Sequence, residues 1–334
     1  MQEPLLSIKD LHTSFKIDGN YYAAVDGVDL DIHKNEVLAL VGESGCGKSA
    51  LALSVTKLHN SNYTQISGEV LFDGQNLLAL NEKELNKIRG GRIGMVFQDP
   101  LTAFNPLMKI GAQIEEALTY HTNLDKSAKK DRTIELLKDV GMTNPMLTYS
   151  QLPHQLSGGM RQRAMIAIAL ACKPDLVIAD EPTTALDVTI QAQILDLLRT
   201  LQNEMQSSVI LITHDLGVVA EMADRVAVMY AGQIVELASV YDLFKNPQHP
   251  YTRSLLASIP SLGHRGEKMN RLHVIQGLVP SLKYLPRAGC RFSYRTPWVS
   301  DHIHEETPSY HEVSPDHYVL CTCYKAFSFD KEGA

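Results

Sequence analysis

Residues 42–49 have the sequence GESGCGKS and match the pattern G-x-x-x-x-G-K-[ST]. Glycines let the backbone fold closely around an anion, and successive N–H groups together with a helix N-terminus point at phosphate oxygens. Lys48 is expected to pair with β- and γ-phosphates and the Ser49 hydroxyl to ligate Mg²⁺. The alternative is a glycine-rich turn with a surface lysine. The residues of this loop predicted to bind nucleotide are Gly42, Ser44, Gly45, Cys46, Gly47, Lys48 and Ser49.

Two adjacent acids follow an apolar run in the segment DLVIADE, residues 175–181. A phosphate loop of this type works with a carboxylate at the end of a neighbouring buried strand. Asp180 is therefore predicted to hold the Mg²⁺ shell, and Glu181 to take a proton from the attacking water. The alternative is a solvated strand end. The two motifs together indicate a P-loop NTPase, which is a broad class.

Alternating strand and helix patterns surround these motifs. The run EVLALV at 36–41 predicts a buried strand that leads into the loop, and an apolar helix is predicted over 48–58. Further strands are predicted at 6–15, 28–32, 68–72, 92–97, 176–179, 208–213, 226–230 and 233–236. Helices are predicted at 110–120, 126–140, 160–171, 189–205 and 216–222. This alternation favours a mostly parallel sheet covered by helices, with an all-helical stretch from about 110 to 172 inserted into it.

Size and charge limit the function classes. Single cores stop growing at roughly 250–300 residues, so 334 residues favour a main domain plus an appendage. A net charge of −7 makes nucleic acid a poor expected partner, since phosphate backbones attract basic proteins. The sequence contains no apolar run long enough to span a bilayer and no secretory signal pattern. Five sparsely placed cysteines indicate reduced thiols in a cytosol.

The segment LSGGMRQR, residues 156–163, narrows the class. Ser157 can cap the helix that follows, and Gly158 and Gly159 leave their N–H groups uncovered, which makes a second anion site. An ordinary capped helix explains Ser157 but not the two glycines. The stretch up to about residue 245 resembles the nucleotide-binding domain of ABC transporters, whose signature sequence is LSGGQ-like. In that family the signature closes over the γ-phosphate of ATP bound to a partner subunit.

Other motifs occur in the order typical of that family. The resemblance makes Gln98 the Q-loop glutamine, which contacts Mg²⁺ and water, and Asp187 part of the D-loop at 185–187. It makes His214 the switch histidine that contacts the γ-phosphate and the catalytic acid. Tyr22 lies about where the family has an aromatic ring that stacks on adenine, with Tyr21 beside it. The implied catalytic residues are Glu181, His214 and Gln98, and the implied metal ligands are Ser49, Gln98 and Asp180.

The resemblance also implies an architecture and a set of partners. The expected fold is α/β: a RecA-like P-loop NTPase core with an antiparallel β subdomain and a helical subdomain at about 99–172. This nucleotide-binding domain would span 1–245, and a C-terminal extension 246–334. ATP and Mg²⁺ would lie between two homologous ATPase subunits, and the pair would drive two transmembrane permease subunits from the cytoplasmic face of the membrane.

The C-terminal extension indicates which transporter. The run NPQHPYTRSLL at 246–256, followed by Ile259 and Pro260, resembles the C-terminal element of oligopeptide, dipeptide and nickel importer ATPases. The run MRQRAMIAIAL at 160–170 resembles the D-type ATPase of that group, which pairs with an F-type ATPase. The implied function is import of peptides delivered by an extracytoplasmic binding protein. Nickel or another small solute, an ABC-type ATPase acting on nucleic acid or ribosomes, and a regulator with a vestigial ATPase stay open as alternatives.

The extension departs from these relatives near its end. Many relatives hold an iron–sulfur cluster there with four cysteines, but this chain has Thr296 and Ile303 at two of those positions and keeps Cys290 and Cys321. We therefore expect no iron–sulfur cluster and a metal-free packed core, in which Ile303 and the aromatic side chains are buried. Zinc bound by Cys321 and Cys323 with His302, His304 or His317 is the less favoured alternative, because C-x-C is not the usual spacing.

Cys46 lies in the phosphate loop beside a helix N-terminus, where a thiolate is stabilised. On that basis the sequence predicts that maleimide labels Cys46 and blocks activity, and that Mg-ATP protects it. The alternative is that burial against the backbone of the loop makes this thiol inert.

Overall fold

A computed structural model describes residues 3–184, 186–258, 275 and 277–328. The strands, in chain order, are β1 (Leu6–Ile17), β2 (Asn20–Ile32), β3 (Val37–Val41), β4 (Thr64–Phe72), β5 (Gln75–Asn76), β6 (Ile93–Val96), β7 (Leu176–Asp180), β8 (Ser208–Thr213), β9 (Arg225–Tyr230), β10 (Gln233–Ser239), β11 (Tyr310–Ser314) and β12 (His317–Leu320). The helices are α1 (Lys48–Val55), α2 (Glu82–Ile88), α3 (Pro100–Ala103), α4 (Ile110–His121), α5 (Lys126–Asp139), α6 (Pro145–Ser150), α7 (Gly158–Leu170), α8 (Val188–Met205), α9 (Leu216–Met222), α10 (Val240–Lys245) and α11 (Pro250–Ala257).

The larger sheet has the strand order β11-β12-β10-β9-β3-β8-β7-β6. Its five strands from β9 to β6 are parallel, and β10, β12 and β11 continue it with antiparallel pairings. All five residues of β3 are buried, as are those of β7 and β8. Uninterrupted apolar strands of this kind suit a parallel sheet that is covered on both faces. The predicted α/β fold is confirmed.

The smaller sheet is antiparallel, with the order β2-β1-β4-β5. The predicted turn at 18–20 joins β1 and β2, and Asp18 and Gly19 both have positive φ there (49° and 85°). β2 begins at Asn20, earlier than the predicted residue 28, because residues 20–26 pair with β1 across this turn. Apolar residues of this sheet, of α1 and of β3 form one shared core. The small sheet therefore fixes the start of α1 from one side.

The first helix ends earlier than the apolar pattern predicts. α1 ends at Val55 rather than at residue 58, because Lys57 adopts a left-handed conformation (φ 51°) that a right-handed helix does not contain. The N–H groups of Lys57 and Leu58 donate to the carbonyls of Ser54 and Leu53, which closes the helix end.

A helical region lies between β6 and β7, which are neighbouring strands of the large sheet. Helices α4 to α7 pack on one another and share a core with α8 and one face of the sheet. The prediction missed α6, which begins at Pro145 with Asn144 as its cap, because six residues give too short a periodic pattern. This region forms the predicted helical insertion.

The C-terminal tail, residues 275–328 as far as described, packs on the core. β12 pairs with β10 and so adds the hairpin β11–β12 to the edge of the large sheet. Phe292 is buried as predicted, but Tyr294 is 73% exposed. Ile303 is half-buried and lies outside the tail's apolar core, so the prediction that it fills that core is wrong. Ile259 and Pro260 lie outside the described residues.

Candidate functional site

The phosphate loop joins the end of β3 to the start of α1. Gly42 and Gly47 have φ values of 157° and 111°. A Cβ at Gly42 would lie 2.2 Å from the carbonyl oxygen of Met229, and one at Gly47 would lie 2.5 Å from that of Ala24. Both contacts are with backbone, which cannot move aside. These two positions therefore require glycine, and the loop is held against β9 and β2.

Lys48 is folded back over the loop. Its Nζ donates to the carbonyl oxygens of Gly42 at 2.8 Å and Glu43 at 3.0 Å, and the side chain is almost completely buried. A buried ammonium without a carboxylate partner is costly, so it satisfies its donors on backbone carbonyls. This arrangement positions a single positive charge inside the loop, where an anion would meet it.

Asp180 ends β7 and is buried, with 5% of its surface exposed. Its Oδ1 has no hydrogen-bond partner among the described residues. Burial raises the pKa of this carboxyl, the nearby Glu181 charge adds to that effect, and the Ser49 hydroxyl and Lys48 oppose it. A buried carboxylate oxygen without a partner, next to a hydroxyl, fits a hard divalent cation as its missing neighbour.

Glu181 is the centre of a hydrogen-bonded cluster. Its Oε2 accepts from Gln98 Nε2 at 3.0 Å and from the Thr184 hydroxyl at 2.7 Å, and its Oε1 lies 3.6 Å from His214 Nδ1. Its backbone has a positive φ of 45°, and its N–H donates to Ile212 on β8. A non-glycine residue at such a φ is strained, and strain of this kind collects at functional sites. The cluster orients one carboxylate beside the loop.

These parts line one cavity. Its wall contains Ser44, Gly45, Gly47, Lys48, Ser49, Gln98 and Glu181, with Ala24, Ala50 and Leu282. The structure thus brings together the predicted residues of the phosphate loop, the Q-loop and the catalytic acid. Tyr22, half-buried on β2, is not among the lining residues that the structure describes, and its role stays a prediction.

The predicted signature residues lie in a separate groove. Ser157, Gly158 and Gly159 line it together with Asp187, Leu186 and Ile190. The Ser157 hydroxyl accepts from the N–H of Met160 at 3.3 Å, which makes Ser157 the cap of α7. A Cβ at Gly159 would lie 2.9 Å from the Ile190 side chain, so this glycine lets α8 approach α7. Asp187 in turn caps α8 through the N–H of Ile190. Ala185 lies outside the described residues.

The sequence reasoning missed several residues at the loop. Thr184 is one, although its place three residues after Glu181 in a turn was a usable signal. The others come from the C-terminal part. The Tyr251 hydroxyl accepts from the N–H of Glu43 at 2.7 Å, and Arg295 binds the Glu43 carboxylate at 2.6 and 3.2 Å. More than 200 positions separate these partners along the chain, so no local pattern predicts them.

The expectation of a reactive Cys46 thiolate is wrong. Only 1% of Cys46 is exposed, and burial raises its pKa despite the neighbouring Lys48. Desolvation of the sulfur outweighs the field of the helix N-terminus. Cys46 can therefore contribute to nucleotide binding through its backbone, while its side chain packs under the loop.

Comparison with family models gives two matches. The ABC transporter family matches residues 25–184, which contain the phosphate loop, the signature and both acids. The oligopeptide/dipeptide transporter C-terminal region matches residues 235–302.

Curated relatives match along nearly the whole chain. The oligopeptide transport ATP-binding protein OppD of Lactococcus lactis subsp. cremoris (strain SK11) is 51% identical over 328 residues, which cover 98% of this chain and 96% of that protein. The dipeptide transport ATP-binding protein DppD of Bacillus subtilis (strain 168) is 49% identical over 296 residues, covering 88% and 87%. Among solved structures, the dimeric ATP-binding cassette MJ0796 bound to ADP and phosphate has a TM-score of 0.64 at 30% identity. The match covers 70% of this chain and 98% of that cassette.

Proposed function

This chain belongs to the ABC transporter family of oligopeptide and dipeptide transport ATP-binding proteins, and we propose that it is the D-type motor subunit of a peptide importer. The chain is an ATPase. The observation that carries the proposal is the Glu181 cluster beside an intact phosphate loop, combined with a tail that matches the peptide-transporter C-terminal region.

The residues that would hold Mg²⁺ are Ser49, Asp180 and Gln98. Their oxygen donors suit this ion, and the buried Asp180 Oδ1 lacks a hydrogen-bond partner among the described residues. When bound, Mg²⁺ would neutralise developing charge on the phosphates of ATP. Lys48 Nζ donates to two carbonyl oxygens of the loop, those of Gly42 and Glu43. When ATP is bound, Lys48 would donate to the β- and γ-phosphates instead, because charged phosphate oxygens are stronger acceptors than carbonyls.

Glu181 is proposed to accept a proton from the attacking water. Gln98 and Thr184 hold one of its carboxylate oxygens, which leaves Oε1 directed toward His214. The His214 side chain is 65% exposed, and its proposed role is to contact the γ-phosphate. Positioning of this kind is how an ATPase uses a carboxylate for general-base catalysis.

We propose further that two ATPase subunits sandwich the nucleotide. The groove of Ser157, Gly158, Gly159 and Asp187 lies apart from the phosphate-loop cavity of the same chain, so it is available to the nucleotide of a partner. The cassette MJ0796 is described as dimeric, which supports this arrangement. The proposed partner is an F-type ATPase, and the pair would drive two permease subunits at the cytoplasmic face of the membrane, with an extracytoplasmic peptide-binding protein supplying the solute.

Among the described residues, no helix combines the length and apolar character needed to cross a membrane.

The test is peptide uptake by cells in which this gene is deleted and then restored. We expect the wild-type chain to restore uptake of a labelled peptide, and Lys48→Ala to fail at equal expression. The matched control is Lys83→Ala, which removes an exposed lysine from α2. Affinity purification from detergent-solubilised membranes should recover two permeases and a second ATPase. Uptake of nickel instead of peptide, or recovery of nucleic acid without permeases, would contradict the proposal.

A further inference from the structure

Four side chains with metal-binding atoms converge in the C-terminal tail. The ligand atoms of Cys290, His304, Cys321 and Cys323 all lie within 4.8 Å of one another. The three cysteines are free thiols, and 6%, 1% and 0% of their surfaces are exposed. Three thiols gathered in one buried place make poor hydrogen bonds with each other, so packing alone gives little reason for this arrangement.

His304 supports a ligand at the centre of the group. Both of its ring nitrogens are inaccessible to solvent, and neither has a hydrogen-bond partner among the residues described. An imidazole carries at least one N–H donor, and leaving such a group buried without a hydrogen bond is unfavourable. A metal ion bound to one nitrogen would remove part of that cost.

The surrounding backbone holds the four residues in place. Thr322 donates its hydroxyl proton to the carbonyl of Ile303 at 2.8 Å, and the N–H of Glu305 donates to Cys321 Sγ at 3.4 Å. These bonds tie the segment around His304 to the segment of Cys321 and Cys323. Cys321 has a φ of 70°, a rare conformation for a non-glycine residue. An N–H group that donates to a ligand sulfur is a common outer-shell contact of metal sites.

We propose that Cys290, His304, Cys321 and Cys323 form a structural zinc site. Three sulfurs and one imidazole are a known tetrahedral zinc set, and a closed set of four leaves no open position for catalysis. With Zn–S bonds of about 2.3 Å, two sulfurs on a tetrahedral ion lie about 3.8 Å apart. The observed grouping within 4.8 Å therefore needs only small movements to close on one ion. A cuboidal iron–sulfur cluster contains several atoms between its ligands and would need wider spacing.

This site differs from the metal-free core that the sequence favours and is nearer to the zinc alternative, which contained Cys321, Cys323 and His304. The residues at the two positions where relatives have cysteine take no part in it: Thr296 bonds to nearby carbonyls, and Ile303 only contributes its backbone. His304 and Cys323 supply the third and fourth ligands instead. His302 is exposed, and His317 is buried against Glu236 at 2.7 Å, so neither joins the set.

A metal ion bound at this site would stabilise the position of the tail segment that lies behind the phosphate loop. Cys290 is followed directly by Arg291, which pairs with Asp26 on β2 and donates to the Ala231 carbonyl. Phe292 packs against Tyr230 and Tyr251 at ring-centroid distances of 5.2 and 5.4 Å. Fixing Cys290 therefore fixes the segment that contacts the loop from behind.

The experiment is a metal analysis of the full chain, purified anaerobically with a thiol reductant from cells supplied with both zinc and iron. We expect roughly one zinc per chain and no acid-labile sulfide. Stoichiometric iron with sulfide would overturn the proposal, and so would a reduced, folded chain that binds no zinc when the ion is supplied.

Variants identify the ligands. Cys323→Ser and His304→Ala should each lower the apparent zinc affinity at least about 100-fold, since even outer-shell changes cost 10–100-fold. His304→Cys should retain zinc, because four cysteines also form a structural site. The matched controls are His302→Ala, two residues from His304, and Cys172→Ser in the helical region, and both should keep wild-type zinc. Unchanged zinc affinity in Cys323→Ser and His304→Ala would overturn the assignment.

A measurement on the wild-type chain covers the case in which variants fail to fold. Replacement of zinc by Co²⁺ should give the visible absorption of a tetrahedral site with thiolate-to-metal charge-transfer bands. A Co²⁺ spectrum typical of six oxygen or nitrogen ligands would contradict the proposed ligand set.

Discussion

The phosphate loop and the C-terminal tail each bring ion-binding groups together, but they do so from different parts of the sequence. The loop uses eight consecutive residues, 42–49, that run from the end of β3 into the first turn of α1, and its two constrained glycines bring its N–H groups together. The tail uses residues 290, 304, 321 and 323, which the hairpin β11–β12 and its neighbouring turns bring together. A contiguous site can be recognised from its spacing, whereas a dispersed one depends on the fold.

The two regions are also in contact. Arg295 of the tail binds Glu43, the second residue of the loop, and Leu282 of the tail lines the same cavity as Lys48. Tyr251 of α11, which precedes the tail, also contacts Glu43. The tail therefore supports the loop from outside the ABC core. The following predictions test how far the loop depends on that support.

The largest expected effect is on chemistry within the loop cavity. Glu181→Gln should leave ATP binding intact and lower ATP turnover by about 10²–10⁴, which is the usual contribution of a positioned base. The amide keeps the shape of the side chain but cannot accept the proton. Turnover is measured in the assembled transporter, and binding with a fluorescent ATP analogue.

Glu221→Gln on α9 is the matched control, because Glu221 is exposed. It should behave as wild type. If Glu181→Gln turned over within a few-fold of wild type, Glu181 would not be the base.

The next effect concerns the contact between tail and loop. Arg295→Ala removes the guanidinium that binds both carboxylate oxygens of Glu43. The side chains of Arg295 and Glu43 are 4% and 28% exposed. We expect the free energy of unfolding to fall by about 2–3 kcal/mol, less than for a fully buried pair, and the KM for ATP to rise a few-fold. Urea denaturation and steady-state kinetics measure the two quantities.

Lys283→Ala provides the comparison for this pair. Lys283 pairs with Asp18 at 3.0 Å, and the two side chains are 43% and 72% exposed. Loss of such an exposed pair should cost about 1 kcal/mol at most. Equal effects of Arg295→Ala and Lys283→Ala would show that the tail does not support the loop.

A smaller effect is expected from pH at the end of α1. His59 packs edge-on against Phe15, and its Nε2 lies 2.9 Å from the Ala50 carbonyl. Burial lowers the pKa of His59 below 6.5. The unfolded chain therefore binds more protons as the pH falls through 6.5, so the contribution of His59 to stability is present above that pH and is lost below it.

We expect the wild-type chain to lose up to about 1 kcal/mol more than His59→Gln between pH 7.5 and pH 5.5. His154→Gln, at an exposed histidine, should leave the wild-type pH dependence unchanged. A His59→Gln chain with the same pH dependence as wild type would show that His59 does not titrate on unfolding.

Sequence patterns predicted the parts of this molecule that depend on local spacing. The bounds of β8 and α9 agree residue for residue, and loop residues, Gln98 and Glu181 do line one cavity. Asp180 is buried next to Ser49 at the end of β7 and is not among the residues that line this cavity. The patterns did not predict the tail hairpin, the contacts of Glu43 or the inclusion of Cys290 and His304 in one cluster. These features depend on strand pairing and on residues far apart in sequence, and periodicity carries no information about either.

The smallest expected effect is a difference in maleimide reactivity between the cysteine of the loop and the cysteines of the tail. The Cys46 sulfur is closely surrounded by the loop. It lies 3.8 Å from Lys48 Nζ, and so near to Gly42 that a Cβ on that residue would be 2.8 Å from it. Brief maleimide treatment of the native chain should therefore leave Cys46 unlabelled and ATPase activity unchanged, with or without Mg-ATP. The half-buried Cys172 should be labelled first.

A zinc chelator should then expose Cys290, Cys321 and Cys323 to the reagent without changing Cys46, because their protection comes from a bound ion and that of Cys46 from the loop itself. Mass spectrometry of peptides locates the label. Labelling of Cys46 that Mg-ATP blocks would mean that the loop opens readily, and tail thiols that react equally with and without chelator would mean that no metal protects them.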